Sequence, residues 1–153
     1  MPRLLIVGQA PSRTSNPAEV LRGKSGAKIR ELLGLSKRRF IQCTRVNLAP
    51  LWTGKDGKGD AFEADPDLVI TALSLARDHE TVLLLGRAVS GALGYGGYEY
   101  FEPIKKEKTT FYVVPHPSGI NRWWNDPANR RVAERFFGRL TCAEMKRTRS
   151  SQM

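Results

Sequence analysis

The chain has 153 residues, 41% of them hydrophobic, enough to bury one proper core and most economically arranged as one domain. Its 25 Lys and Arg against 15 Asp and Glu give a formal net charge of +10, which favours a polyanionic partner over an acidic protein surface or a neutral metabolite, although such an excess also serves simple solubility. Two cysteines, Cys43 and Cys142, exclude any four-thiolate cluster, and neither has the Cys/His spacing of a zinc site, so no metal and no cofactor are expected.

In chain order, Met1-Pro2-Arg3 leads directly into the apolar run Leu4 to Gly8, a predicted strand, with no long apolar segment and no cleavage-site pattern. A soluble, cytoplasmic protein with reduced cysteines is expected, a disulfide being the minor alternative. Gly26 to Leu33 has helical spacing through Ile29, Leu32 and Leu33, and Phe40 to Asn47 alternates like a strand. Gly54-Lys-Asp-Gly-Lys-Gly59 has too many glycines to pack and reads as a mobile surface loop. Asp65-Pro66 is a helix start, because Asp caps free N–H groups and Pro fits the first turn; the helix runs through Val69, Leu73 and Ala76.

Thr81 to Leu85 is a buried-strand pattern ended by Gly86, followed by a short helix from Arg87 to Leu93 and a turn at Gly94 to Gly97. Tyr98 to Glu102 and Thr109 to Val114 read as strands joined by the charged connection Lys105-Lys-Glu-Lys. Asp126-Pro127 repeats the cap signal before a last helix carrying Val132, Phe136, Phe137 and Leu140. The alternation predicts an α/β fold: a three-layer α/β/α sandwich on a mainly parallel sheet of about four strands. Residues 1–145 form the domain, and 146–153 are expected to be a basic, disordered tail.

Two small-residue loops follow predicted strands, Gly8-Gln-Ala-Pro-Ser after the first and His116-Pro-Ser-Gly-Ile-Asn-Arg after the apolar run Phe111 to Val114. Open α/β sheets bind ligands at the carboxyl ends of their strands, so the two loops together point to a nucleobase pocket. The pair resembles the two signature motifs of the uracil-DNA glycosylase superfamily, the first Gly-Gln/Glu-x-Pro and the second opening His-Pro-Ser. Three further segments extend the resemblance, in the same order: Gly23-Lys-Ser-Gly26 before a Leu-rich helix, Val46-Asn47-Leu48 at a strand end, and Leu85-Gly86-Arg87-Ala88 with Ala92-Leu93-Gly94. They are closest to the microbial, family 4-like branch, whose four iron–sulfur cysteines this chain lacks.

The resemblance implies a monofunctional DNA glycosylase that flips a deaminated or modified pyrimidine out of DNA and hydrolyses its N-glycosidic bond, in base excision repair or in defence against modified foreign DNA. A monomer is expected, with DNA as partner and no membrane. Cleavage develops negative charge on the departing base, so the site needs a donor at the base oxygen. His116 is the candidate donor, the alternative being a structural loop histidine. Gln9 is the second candidate catalytic residue, and Gly8, Gln9 and Ala10 offer backbone N–H groups to the base. The Asn47 amide carries the acceptor and donors needed to read a pyrimidine edge, the alternative being an Asx-turn before Pro50.

Ser12 and Ser118 are candidate phosphate contacts, with Arg13, Asn121 and Arg122 on the same rim. Ile120 matches the family position of an apolar wedge that fills the gap left by the flipped base. Trp123-Trp124 either stacks on DNA or anchors its loop on the last helix, and Trp52 either lines the pocket or covers the core. Two positions depart from the family pattern. Ala10 stands where several branches carry the Asp or Asn that orients the attacking water. Leu21 aligns with a base-stacking phenylalanine, for which Phe40 or Trp52 is the candidate replacement. Ala10 together with Gln9 motivates one competitor, a catalytically weak glycosylase-fold DNA-binding protein; the other is an unrelated α/β nucleotide-binding enzyme with an incidental basic charge, which would lack its expected Gly-rich phosphate fingerprint.

Overall fold

The apolar runs at 4–8, 81–85 and 109–114 are continuous rather than alternating, the pattern of strands covered on both faces. In the computed structural model, which describes residues 4–10, 24–50, 55–56, 59–60, 62–118 and 121–152, each of them is a strand of one central sheet. The elements in chain order are β1 (Leu4–Gly8), α1 (Lys24–Leu33), α2 (Lys37–Gln42), β2 (Thr44–Asn47), β3 (Lys55–Asp56), β4 (Gly59–Asp60), α3 (Pro66–Ala76), β5 (Thr81–Leu85), α4 (Arg87–Ala92), β6 (Ile104–Lys106), β7 (Thr109–Val114) and α5 (Pro127–Gln152), the last preceded by a 3-10 turn, Arg122–Asn125. The sheet order is β2-β1-β5-β7-β6. The first four strands are parallel and β6 closes the edge antiparallel to β7, so the expected parallel layer gains a fifth strand.

Side chains alternate between two cores. Leu4 and Ile6 join Leu83, Leu85 and Val114 under Ile29 and Leu33 of α1 and Ala133, Phe136, Phe137 and Leu140 of α5. Leu5 and Val7 join Val82, Leu84, Phe111 and Val113 under Ala72 and Ala76 of α3 and Val89 of α4. This period of two across a covered sheet is what makes three layers. Both cap signals operate as the sequence predicts. The Asp65 carboxylate accepts from the N–H groups of Asp67 (2.8 Å) and Leu68 (3.3 Å), and that of Asp126 from Ala128 (2.8 Å).

Four segments differ from the sequence expectation. The first half of Phe40 to Asn47 belongs to α2, because the Ser36 hydroxyl caps the Arg39 N–H at 3.2 Å and the helix turns Phe40 into the core. Phe40 is thereby occupied in packing beneath Arg45 and is not a base-stacking replacement for Leu21. Tyr98 to Glu102 is not a strand: Phe101 has φ 66°, which breaks an extended chain, and only Tyr100 bridges Val113. The strand lies instead at Ile104–Lys106, where Lys105 and Lys106 stand on the sheet edge and guard it with charge. Within 54–59, Lys55–Asp56 pairs with Gly59–Asp60 as a short antiparallel ladder. Finally, α5 continues to Gln152, through the tail expected from Lys146, since no Gly or Pro follows Gly138 to stop it.

Candidate active site

The chain leaves β1 for β2 on one side and later returns to β5 on the other, so the strand order reverses between β1 and β5. Such a switch point opens a crevice at the carboxyl ends of the strands. Gly8 and Asn47 are register partners at those ends, Leu85 pairs with Val114 at the same level, and Gly86 and His116 follow just beyond. Gly8, Asn47, Gly86 and His116 are therefore gathered along one edge.

His116 is held on three sides. The Ser118 N–H donates to its Nδ1 at 3.1 Å. A backbone N–H is always a donor, so Nδ1 accepts and the proton of the neutral ring sits on Nε2. Its carbonyl accepts two bonds, from Asn121 Nδ2 at 2.9 Å and from Trp124 Nε1 at 2.8 Å. Against the other edge of the ring lies Gly86, where a Cβ would come within 3.0 Å of His116 Cβ and 3.4 Å of Cδ2. Gly86 also has φ +95°, a conformation L side chains rarely adopt. Its carbonyl is fixed by the N–H (3.1 Å) and hydroxyl (2.8 Å) of buried Ser90, and its N–H donates to Val114 at 2.8 Å.

Across the crevice, the Gln9 carbonyl accepts from Leu48 (3.1 Å) and Ala49 (3.0 Å), stitching the first loop to the end of β2. Asn47 is 8% exposed, and its Oδ1 is buried with no hydrogen-bond partner among the described residues. A buried amide oxygen without a donor costs about 1–3 kcal/mol. An Asx-turn would have given this oxygen a backbone partner.

Several expectations change here. Asn121 donates from Nδ2 to the His116 carbonyl and accepts at Oδ1 from the Trp123 N–H at 3.2 Å, so this residue braces the His116 loop. Trp124 is buried, and Trp123 packs on it edge to face (4.9 Å between centroids) and against Tyr100 and Phe101. The tryptophan pair is thus the anchor of the loop. Ser118 is half-buried and Arg122 exposed on the 3-10 turn. Ser12, Arg13, Leu21, Trp52 and Ile120 lie outside the described residues.

From the sequence Gly86 reads only as a strand end and part of a family-like segment, and Ser90 and Lys28 carry no site signal. Lys28 of α1 lies with Nζ 4.0 Å from the centre of the Trp124 ring, and Arg130 of α5 donates to the Trp124 carbonyl at 3.3 Å. Burial, and then the Arg130 charge, hold the Lys28 ammonium below the ordinary lysine range. The signal for Gly86 was present, a glycine closing a continuous apolar strand, whereas nothing in the sequence spacing links Lys28 to Trp124. Among the described residues no group of His, Cys, Asp or Glu is arranged to hold a metal ion, and no helix is long and apolar enough to cross a membrane.

No curated protein matches the chain. The family model of the uracil DNA glycosylase superfamily matches residues 1–140, a span that takes in both strand-end loops, the whole sheet and α5 as far as its last core contact at Leu140. On that match, and with a sheet whose strand ends gather the two motif loops, the chain belongs to the uracil DNA glycosylase superfamily.

Proposed function

We propose that the protein is a monofunctional DNA glycosylase that extrudes a deaminated or 5-substituted pyrimidine and hydrolyses its N-glycosidic bond. Superfamily membership implies glycosylase chemistry on DNA; the base and the residue roles are the proposal. The observation that carries it is the orphaned Asn47 Oδ1, nine-tenths buried beside Gly8 at the crevice. An unmet buried acceptor at a ligand-binding edge fits a partner that arrives only with substrate, such as the N3–H of a pyrimidine.

His116 supplies the opposite side of the site. With Nδ1 occupied, its Nε2–H is the donor for the pyrimidine oxygen on which charge accumulates as the glycosidic bond lengthens. Asn47 ends β2 and His116 follows β7, on opposite sides of β1 and β5, so that the base is held between them. The backbone N–H groups of Gln9 and Ala10 complete the base contacts. Ser12, Arg13, Ser118 and Arg122 are assigned to the DNA backbone and Ile120 to the gap in the stack.

The test is base release from oligonucleotides carrying uracil, hydroxymethyluracil, mismatched thymine, hypoxanthine or a modified cytosine. Release of a pyrimidine is expected, with His116→Ala lowering the rate roughly a hundredfold or more while DNA affinity changes little. Because Leu21 replaces a stacking ring, worth roughly 1–3 kcal/mol per base, a bulkier 5-substituted pyrimidine should be released faster than uracil, and Leu21→Phe should shift the preference towards uracil. Ala10, which brings no carboxylate to the water, favours one second reading, a DNA-binding protein with weak chemistry. Tight binding with no release from any substrate would establish that reading instead.

A further inference from the structure

Two cations meet around Trp124. Lys28 approaches the ring from α1 and Arg130 reaches its carbonyl from α5, so two like charges from different helices share one residue. A cation over an indole is favourable by itself, but a second cation beside it raises the energy of the first. Burial is the larger cause of the lowered Lys28 ammonium, and the Arg130 charge adds to it. Among the described residues neither group has a carboxylate partner; each meets Trp124, Lys28 at the ring and Arg130 at the carbonyl. Arg130 is exposed and Lys28 half-exposed, so both remain open to solvent. The same indole donates to the His116 carbonyl, which puts the pair one side chain away from the His116 loop.

A packing role for the Lys28 stem explains the ring contact but not the second cation. An anion between them removes the repulsion, and a phosphodiester suits it, the guanidinium offering a planar fork and the ammonium a point charge. We propose that Lys28 and Arg130 form a phosphate subsite for the DNA strand carrying the extruded base, outside both strand-end loops. The proposal rests on the glycosylase reading above. It also gives Trp124 two duties, since the residue that fixes the His116 carbonyl then ties the loop to the gripped backbone.

The experiment measures binding to a short fluorescein-labelled duplex containing one tetrahydrofuran abasic site, by anisotropy, between about 50 and 200 mM salt. Lys28→Gln and Arg130→Gln should each flatten the log–log salt dependence by about 0.9, so that each loses roughly 3.5-fold less affinity than wild type across that range. Lys28→Arg should restore the wild-type slope. Arg139→Gln, an equal charge change at an exposed position further along α5, should leave the slope as it is. Unchanged slopes for Lys28→Gln and Arg130→Gln, or an equal loss in Arg139→Gln, would overturn the subsite while leaving the glycosylase reading intact. Wild-type binding that ignores salt would instead sink the DNA reading itself.

Discussion

The two histidines meet opposite hydrogen-bond partners at Nδ1, a carbonyl at His79 and an N–H at His116. His79 is buried, with Nδ1 2.7 Å from the Leu75 carbonyl and Nε2 3.0 Å from the Thr44 hydroxyl. A carbonyl can only accept, so Nδ1 is the donor there and Nε2 takes the hydroxyl proton, with both nitrogens used inside the fold. His116 is reversed, its Nδ1 accepting from Ser118, which leaves the proton on Nε2. Asn121 is part of the device that sets this geometry. Asn121→Ala is expected to lower single-turnover base release roughly ten- to a hundredfold through a displaced imidazole, and to cost about 1 kcal/mol of stability, without altering the salt dependence of DNA binding. A rate equal to wild type together with a flattened salt slope would return Asn121 to the DNA contacts.

At the scale of elements, the turn from β5 into α4 decides where the imidazole can lie. Gly86→Ala must adopt φ +95° and also brings a methyl to 3.0 Å from His116 Cβ, so the root of the imidazole side chain must shift by a few tenths of an ångström. We expect about 1–3 kcal/mol of destabilisation, read as a lower Tm of roughly 2–4 °C per kcal/mol for a chain of this size, together with slower base release. Loss of stability with a wild-type rate would mean that the ring does not depend on this contact. Gly86 also marks how much the sequence disclosed. Continuous apolar runs and Asp-Pro caps are local signals, and they located β1, β5, β7, α3 and the start of α5. Ser36 as the cap of α2 and the left-handed Phe101 were missed, because an N-cap serine without a following proline is weak and a positive φ at phenylalanine has no sequence signature. For the candidate site, the strand-end placement of Gly8 and Asn47, and of His116 just beyond β7, was legible from the continuous apolar runs. The Trp124 clamp and its Lys28 neighbour arise from packing between α1 and α5, distant segments of the chain, which no local pattern encodes.

For the whole molecule, the sheet order and the two cores divide the labour of the chain. One face is sealed by α1 and α5, the other by α3 and α4, and both serve to hold four parallel carboxyl ends in line. Among the described side chains of α5, the core contacts run through Ala133, Phe136, Phe137 and Leu140, and the Thr141 hydroxyl donates to the Leu33 carbonyl at 2.7 Å and tethers α5 to α1. The superfamily match ends at the same place, residue 140. Ending the chain after Met145 is therefore expected to leave Tm within about 2 °C of the full chain, because every described member of the two cores is kept. The deletion does remove Lys146, Arg147 and Arg149, three of the 25 basic residues. Affinity for undamaged duplex at low salt should accordingly fall several-fold, since non-specific binding is carried by charge, while the rate of base release from saturating DNA should be kept. Thermal unfolding and anisotropy on the shortened and full chains read the two effects separately. A Tm lower by 10 °C or more would show that the end of α5 is part of the folded core, and an unchanged affinity would show that its charges face away from DNA.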